Sequence, residues 1–552
     1  MYRYIYLCFS LLLCLTVRNL RAQEWRNPFD FPILLSGNFG ELRSDHFHAG
    51  IDFKTQNVEG KPVRAVQDGY ISRLVISPWG YGHALYINHP NGATTVYGHL
   101  QQFAAHITAH VKEQQYAHES FSIDLTFPPE QFPVRKGQTI ALAGNTGSSA
   151  GPHLHFEIRN TGTGMLYDPL EYYKDRVKDT RPPRIEGFMA YPVEGKGVIN
   201  GSNRKAEIRP NERIEAWGEI TFAVKAYDYM DGVPNIYGVR RIAMAIDTQV
   251  VFSSHIDCFS PAETRYLNSF IDYEAWKTQR SFYMKTSVDP GNRLSFVQHI
   301  NRGVLHINEE RIYRISFRLR DLYGNLTQHT LLVQGRKQDI PAPRTEGEYF
   351  HWKSENRFGA KGIRLTIPAG NLYDDFYFCY NMLTSATLPE SIHVLHDRPV
   401  PLHDKALLSL RLPVNPANAD DIHTYGIVRL QGKKAIWIGG NHRDGWIDTN
   451  IRELGSYAIM QDIQPPVITP VNPATWTGNR RITLRISDNL SGVQDYRGEI
   501  DGQFVLFEFD GKKGLVSYRF DPARLAQGSH KLRFTLTDAC GNRSEYNHTF
   551  IW

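Results

Sequence analysis

A chain of 552 residues, 41% hydrophobic and 22% charged, holds apolar material for several cores and about three or four domains of ~150 residues, and it is neither disordered nor collagen-like. Its formal charge of +5 falls to +2 once Arg3, Arg18 and Arg21 of the first 22 residues are set aside, so composition offers no case for a nucleic-acid partner. The 29 Tyr, 29 Phe and 44 Gly favour pleated sheets joined by turns, and the predicted class is mainly β.

Residues 1–22 read as an export signal. Arg3 gives the positive start, Leu7 to Val17 an apolar run of 11 residues, and Ala22 the small residue before a cut at Gln23. Such a run is too short for a bilayer, which takes ~20 residues. The expectation is export to the periplasm or cell envelope of a bacterium, with no transmembrane segment after cleavage. Cys14 follows Leu13 rather than the small residue that lipidation wants. Cys258, Cys379 and Cys540 remain after the cut. They are odd in number and far apart, so thiolate zinc sites, redox pairs and a disulfide framework are not expected.

Residues 24–175 are rich in Gly and His and carry four pieces in order. HFHAGIDF sets Asp52 four residues after His48. TVYGHL contains His99. GNTGSSAG, from Gly144 to Gly151, is a glycine-rich turn. PHLHFEIR holds His153 and His155. On strands, alternate residues share a face, which pairs His48 with Asp52 across Gly50, His153 with His155 at a spacing of ~6.6 Å, and Tyr97 with His99. Two imidazoles and a carboxylate around an open fourth position suit catalytic zinc. Spacing alone does not say which of His153 and His155 would bind it.

Taken together, HxGxD, YxHL and GxTGxSxGxHLHFE resemble the LytM/lysostaphin-type zinc metallopeptidases, which cleave peptidoglycan peptides. The resemblance covers about Gly37 to Tyr173. It implies an antiparallel β-sheet peptidase module with Zn²⁺ on His48, Asp52 and His155. It also implies that His99 and His153 stay unligated and act on the bound water and the transition state. A cation there lowers the pKa of bound water from 15.7 towards ~7, and a histidine near its ordinary pKa of ~6.5 can take the proton. The expected function is an exported zinc metalloendopeptidase acting on peptidoglycan cross-links or stems. The alternative is a non-catalytic LytM-like regulator or scaffold for cell-wall enzymes, although degenerate family members lack ligands and this chain has all five residues. A protease of envelope proteins is a third reading.

Four features are read as decoys. His46 lacks an Asp at +4. His106 and His110 have HxxxH spacing without the glutamate of a metalloprotease helix. Ser149 matches G-x-S-x-G, but a strand follows where a nucleophile elbow would enter a helix. Glu157 shares the face of His155 as either its partner or a salt bridge. Compact relatives lack the stretch Gln101 to Lys136, which is expected to hold a helix over Ala104–Gln115 and a strand over Phe121–Phe127. It walls the groove and sets substrate choice, restricts access to it, or is a surface elaboration.

The remaining boundaries fall at Pro-Pro and Pro-x-Pro punctuation. They give β-sandwich domains at 180–338, 345–460 and 464–552, the last immunoglobulin-like. Two of these echo each other: SFRLRDLYGN with RFTLTDACGN, and VKAYDYMDGV with LRISDNLSGV. Their aspartates are read as turn residues rather than calcium ligands. The sandwiches are expected to engage other envelope proteins, and the first region is expected to fold without them when cut near Lys174.

Overall fold

The computed structural model describes residues 25–209, 212–384, 391–413 and 419–552, so the expected export signal lies outside the described residues. The protein is mainly β.

The first region is built on one antiparallel sheet. Its strands run in the order Leu35–Gly37, Ile51–Lys54, His153–Asn160, Ala93–Phe103, His83–Asn88, Gly69–Ile76 and Ile123–Thr126. One face buries Phe53, Tyr97 and Phe156, whose rings meet at 5.3–5.7 Å, with Tyr173 packed beside them. The opposite face carries the polar groups. The insertion forms helix Ala105–Ala117, which turns Ile107, Val111 and Gln115 inward at i, i+4, i+8. It also supplies strand Ile123–Thr126 at the sheet edge.

The second region is a continuous sheet. Its long strands, Arg184–Ile199 and Ile214–Tyr229, pair along their length, and the sheet folds so that Phe188 meets Phe317 at 4.8 Å. This region is not a separable neighbour of the first. Strand Leu166–Tyr167 pairs with Cys258–Phe259. Phe39 stacks on Phe259 at 4.9 Å, and Phe47 sits within 5.5–5.8 Å of Phe259, Phe270 and Phe296. A single apolar core runs from Trp25 to Val333. The expectation that a chain cut near Lys174 folds alone does not fit this packing, because the cut would bare Phe39 and Phe47. The apolar character of these phenylalanines does not say whose core they fill.

Two five-stranded sheets enclose a separate core between Phe350 and Ile459. The last region pairs the sheet Val467–Pro470, Arg481–Ser487, Leu515–Arg519, Glu508–Asp510 with the sheet Gln503–Phe504, Val493–Ile500, Ser529–Asp538, Arg543–Ile551. That is the ABED/CFG order of immunoglobulin domains with a short C′ strand added. It folds back onto the insertion of the first region. Lys112 pairs with Asp521 at 2.7 Å, Arg497 with Glu119 at 2.6 Å, and the Tyr116 and Phe504 rings meet at 5.8 Å.

Candidate metal centre

Strand register assembles the site. His155 stands opposite Asp52 on one neighbouring strand and Gly98 on the other. Gly98 keeps this row open, since a Cβ there would lie 3.3 Å from that of His155. His48 is not on the strand with Asp52, as the period-two reading had it. It precedes Ile51–Lys54 on a loop whose backbone pairs with Gly40 and Glu41, and it re-enters over Gly50. A side chain at Gly50 would fall 2.1 Å from the Phe156 carbonyl, so the glycine makes room for a neighbouring strand.

His99 also escapes the alternation. Period two puts it with Tyr97, whose ring lies in the core, yet the His99 ring lies 4.7 Å from that of His153 and 5.9 Å from that of His155. The cause is local. His99 has φ +59°, in the left-handed region, and the pairing slips between His83 and Leu85. A bulge at this point turns the side chain to the other face.

His48 Nε2, His155 Nδ1 and Asp52 Oδ1 lie 3.0 Å from one another. All three residues are buried, and these three side chains could hold a metal ion. Their outer bonds fix which atoms point inward. His48 Nδ1 donates to the Asn38 carbonyl at 2.7 Å, which leaves Nε2 a lone pair. His155 Nε2 donates to Glu157 Oε1 at 2.9 Å, which turns its Nδ1 inward. Asp52 Oδ2 accepts from Arg43 at 3.1 Å. Two imidazole nitrogens facing each other beside a carboxylate make a site for a cation, and the two N and one O donors suit zinc.

The electrostatics agree. Burial opposes charge on Glu157, but His155 and Arg159 outweigh it and pull the carboxyl down to about 2. Burial likewise opposes charge on His155, yet the hydrogen bonds to Asp52 and Glu157 raise it to about 9, so positive charge is favoured where its Nδ1 points. His99 is pushed down to about 3 by burial, then by His153 and His155, and it stays a neutral imidazole. Its Nδ1 donates to the Thr146 carbonyl at 2.9 Å. His153 Nδ1 donates to the Gly151 carbonyl at 2.8 Å, with Ser149 Oγ at 3.2 Å, and its Nε2 stands 3.6 Å from Asp52 Oδ1. Both rings therefore present Nε2 as an acceptor.

All five residues singled out from sequence meet here. Asn38, Arg43 and Tyr81 were missed. Tyr81 stacks on His155 at 5.0 Å, bonds Glu157 through its hydroxyl, and receives the His99 N–H on its carbonyl at 2.8 Å. None of the three stands in a motif, and only the fold brings them in. Of the four decoys, Glu157 is the partner of His155, bonded to its Nε2 at 2.9 Å, and the other three lie apart from the donor set. His46 is exposed beside Asp45. His106 and His110 pack on Phe127 and Phe132. Ser149 holds the His153 loop.

Comparison with known proteins follows this geometry. The description Peptidase family M23 matches residues 46–122 and 113–169, and Zu5-like domain matches 347–462. The chain is 36% identical over 121 residues to DD-carboxypeptidase/endopeptidase Mpg of Neisseria meningitidis serogroup B, covering 22% of each protein. It is 29% identical over 113 residues to murein hydrolase activator EnvC of Escherichia coli, covering 20% of this chain and 21% of that one. The matched part is thus about a fifth of the length of these relatives. The catalytic domain of lysostaphin from Staphylococcus simulans aligns at 23% identity and TM-score 0.20, over 26% of this chain and 92% of that one. Residues 46–169 thus form a region that matches peptidase family M23.

Proposed function

We propose that this protein is an exported zinc metalloendopeptidase that hydrolyses peptide bonds in peptidoglycan cross-links or stems. One observation carries the reading: three inward donors at 3.0 Å spacing with two further imidazole acceptors beside them, His99 and His153. His48, Asp52 and His155 would hold Zn²⁺, which when bound supplies a Lewis acid for the scissile carbonyl and for an attacking water. The chain's own groups do the rest. His99 and His153 are anchored by their Nδ1–H on the Thr146 and Gly151 carbonyls. His153 Nε2 can take the proton from water and, once protonated, donate to the leaving amine, while the His99 ring, held neutral, offers its Nε2 as an acceptor that orients the water. Glu157, Tyr81 and Asn38 fix the ligand rings. The likeness to DD-carboxypeptidase/endopeptidase Mpg supports peptide-bond hydrolysis.

The similarity to EnvC favours a second reading, a regulator of cell-wall hydrolases without turnover. One experiment separates the two. Purified protein is incubated with peptidoglycan after zinc loading and after chelation, and the released fragments are identified by mass spectrometry. Zinc-dependent release of peptide ends supports the peptidase. Intact peptidoglycan under every zinc condition, with stimulation of an added murein hydrolase, supports the regulator.

A further inference from the structure

The two echoing regions each bring three aspartates together. In the second region they are Asp179 in the linker before strand Arg184–Ile199, Asp228 near the end of Ile214–Tyr229, and Asp321 just after Ile312–Arg320. In the last region they are Asp462 before Val467–Pro470, Asp488 just after Arg481–Ser487, and Asp538 at the end of Ser529–Asp538. Within each set the carboxylate oxygens lie within 4.8 Å of one another.

The correspondence extends to single bonds. Asp321 Oδ2 accepts from the Asn325 amide at 2.6 Å, and Asp538 Oδ2 from the Asn542 amide at 2.8 Å. The same amides donate to the main-chain carbonyls of Asp179 at 3.2 Å and Asp462 at 3.1 Å. Asp179 Oδ1 accepts from Arg181 N, and Asp462 Oδ1 from Gln464 N, each in an Asp-x-x-Pro-Pro linker. One arrangement has been built twice, at the pole of each domain where the linker enters.

Turn geometry explains Asp321 and Asp538, whose oxygens take up backbone and amide N–H groups. It does not explain Asp228. That side chain is 2% exposed, and its Oδ1 has no hydrogen-bond partner among the described residues. Asp179 is 6% exposed with Oδ2 equally unpartnered. Asp488 Oδ1 repeats this in the last region. Among the described residues no lysine or arginine ion-pairs with Asp179, Asp228 or Asp321: Arg240, which lines the cavity beside them, pairs with Asp168 and Glu171, and Arg181 donates to the Met230 carbonyl. Three buried carboxylates this close cannot all be ionised without a neighbouring cation. The donors are all oxygen, with no imidazole or thiolate, which selects a hard ion and suits calcium over zinc.

We propose that each aspartate triad binds one calcium ion, tying the incoming linker to two inter-strand turns and stiffening the joint with the preceding domain. Location supports a joint role. A small cavity lined by Asp179, Asp228 and Tyr323 is closed from the first region by Asn38 and Phe39. In the last region, Asp462 N and Cys540 Sγ both donate to the Thr424 carbonyl of the preceding domain.

The test is equilibrium dialysis of the full chain against ⁴⁵Ca²⁺ in excess Mg²⁺, with zinc content measured in parallel. Wild type should hold two Ca²⁺ per chain and melt at a higher temperature with Ca²⁺ present. The isosteric variants Asp228→Asn and Asp488→Asn should each hold one, and the double variant none, with zinc content unchanged as the check on folding. Zero Ca²⁺ on wild type with a calcium-independent melting temperature would overturn the proposal in favour of shared protons. Two Ca²⁺ retained in the double variant would overturn the placement. Neither result bears on the His48 centre or on hydrolysis.

Discussion

Asn38 grips the second region at Gly238 and the metal centre at the same time. Its side-chain amide donates to the Gly238 carbonyl at 2.8 Å and its Oδ1 accepts from Gly238 N at 2.9 Å, while its own carbonyl takes His48 Nδ1–H. The second region therefore helps orient a candidate ligand. Asn38→Ala keeps the carbonyl but frees it to wander. We expect a folded protein whose zinc affinity falls by roughly tenfold, the lower end of the cost of losing such support. Competition with a chromogenic chelator measures it, and an unchanged affinity would mean that the Gly238 contact is only structural.

The same seam gives a second expectation. Phe47 is 1% exposed, and its neighbours Phe259, Phe270 and Phe296 all come from the second region. Ending the chain near Lys174 removes all three, whereas Phe47→Ala within the full chain should cost about 3–5 kcal/mol. The truncated protein should be insoluble or lack cooperative unfolding. A chain ending near residue 338 should be soluble, unfold cooperatively and bind zinc. A soluble, zinc-binding truncation at Lys174 would refute the shared core.

His99→Ala and His153→Ala should separate metal from turnover. Neither ring is among the three converging donors, so zinc content should stay at that of wild type. Peptide release should fall by ~10²-fold or more in each, the usual loss when proton transfer or the orientation of the attacking water is removed. Asp52→Ala should lose both zinc and release. If both histidine variants cleave as wild type does, the proposed roles are wrong.

Much of this centre could be read from the chain because strand register is short-range. Asp52, His153 and His155 sit on neighbouring strands where alternation says they should. His48 and His99 needed more. A loop carries the first, and a left-handed residue at a bulge turns the second, and neither follows from period two. Asn38, Arg43 and Tyr81 act through contacts that only the folded chain creates. Asp228, Asp321, Asp488 and Asp538 stand in the repeated segments, but Asp179 and Asp462 do not, and the convergence of each triad joins segments far apart in the chain. The export signal lies outside the described residues.

His83 gives the fold a pH dependence. The residue is partly buried between the rings of Phe103 and Phe121, its Nδ1 has no hydrogen-bond partner among the described residues, and burial lowers it from 6.5 to about 4. The unfolded chain binds this proton first. Stability is therefore complete above pH ~6.5, falls as the pH drops from there to about 4, and levels off below, with a total loss of roughly 3 kcal/mol. Denaturant unfolding of wild type and His83→Gln at matched pH isolates this from other groups. The difference between them should shrink across that window as the pH falls, and a constant difference would assign the neutral state of His83 no part in acid sensitivity.

Lys512 offers the last test, because it links the immunoglobulin-like region to the candidate catalytic loop. Its ammonium donates to the carbonyls of Asn145 and Ser149, the latter at 2.9 Å. That loop also supplies the Gly151 carbonyl and Ser149 Oγ that hold His153. A charge-assisted bond to two carbonyls pins the loop, and a loosened loop lets the His153 ring drift from its working position. Lys512→Ala should leave zinc content and folding intact and lower the rate of peptide release by roughly tenfold, in line with the loss of one hydrogen bond to a charged group. Lys512→Arg should restore part of it. The exposed pair Arg497–Glu119 joins the same two regions through the insertion and serves as the control: Arg497→Ala should change release by less than about twofold. Equal effects of the two substitutions would mean that domain docking as a whole, and not the grip on the His153 loop, sets the rate.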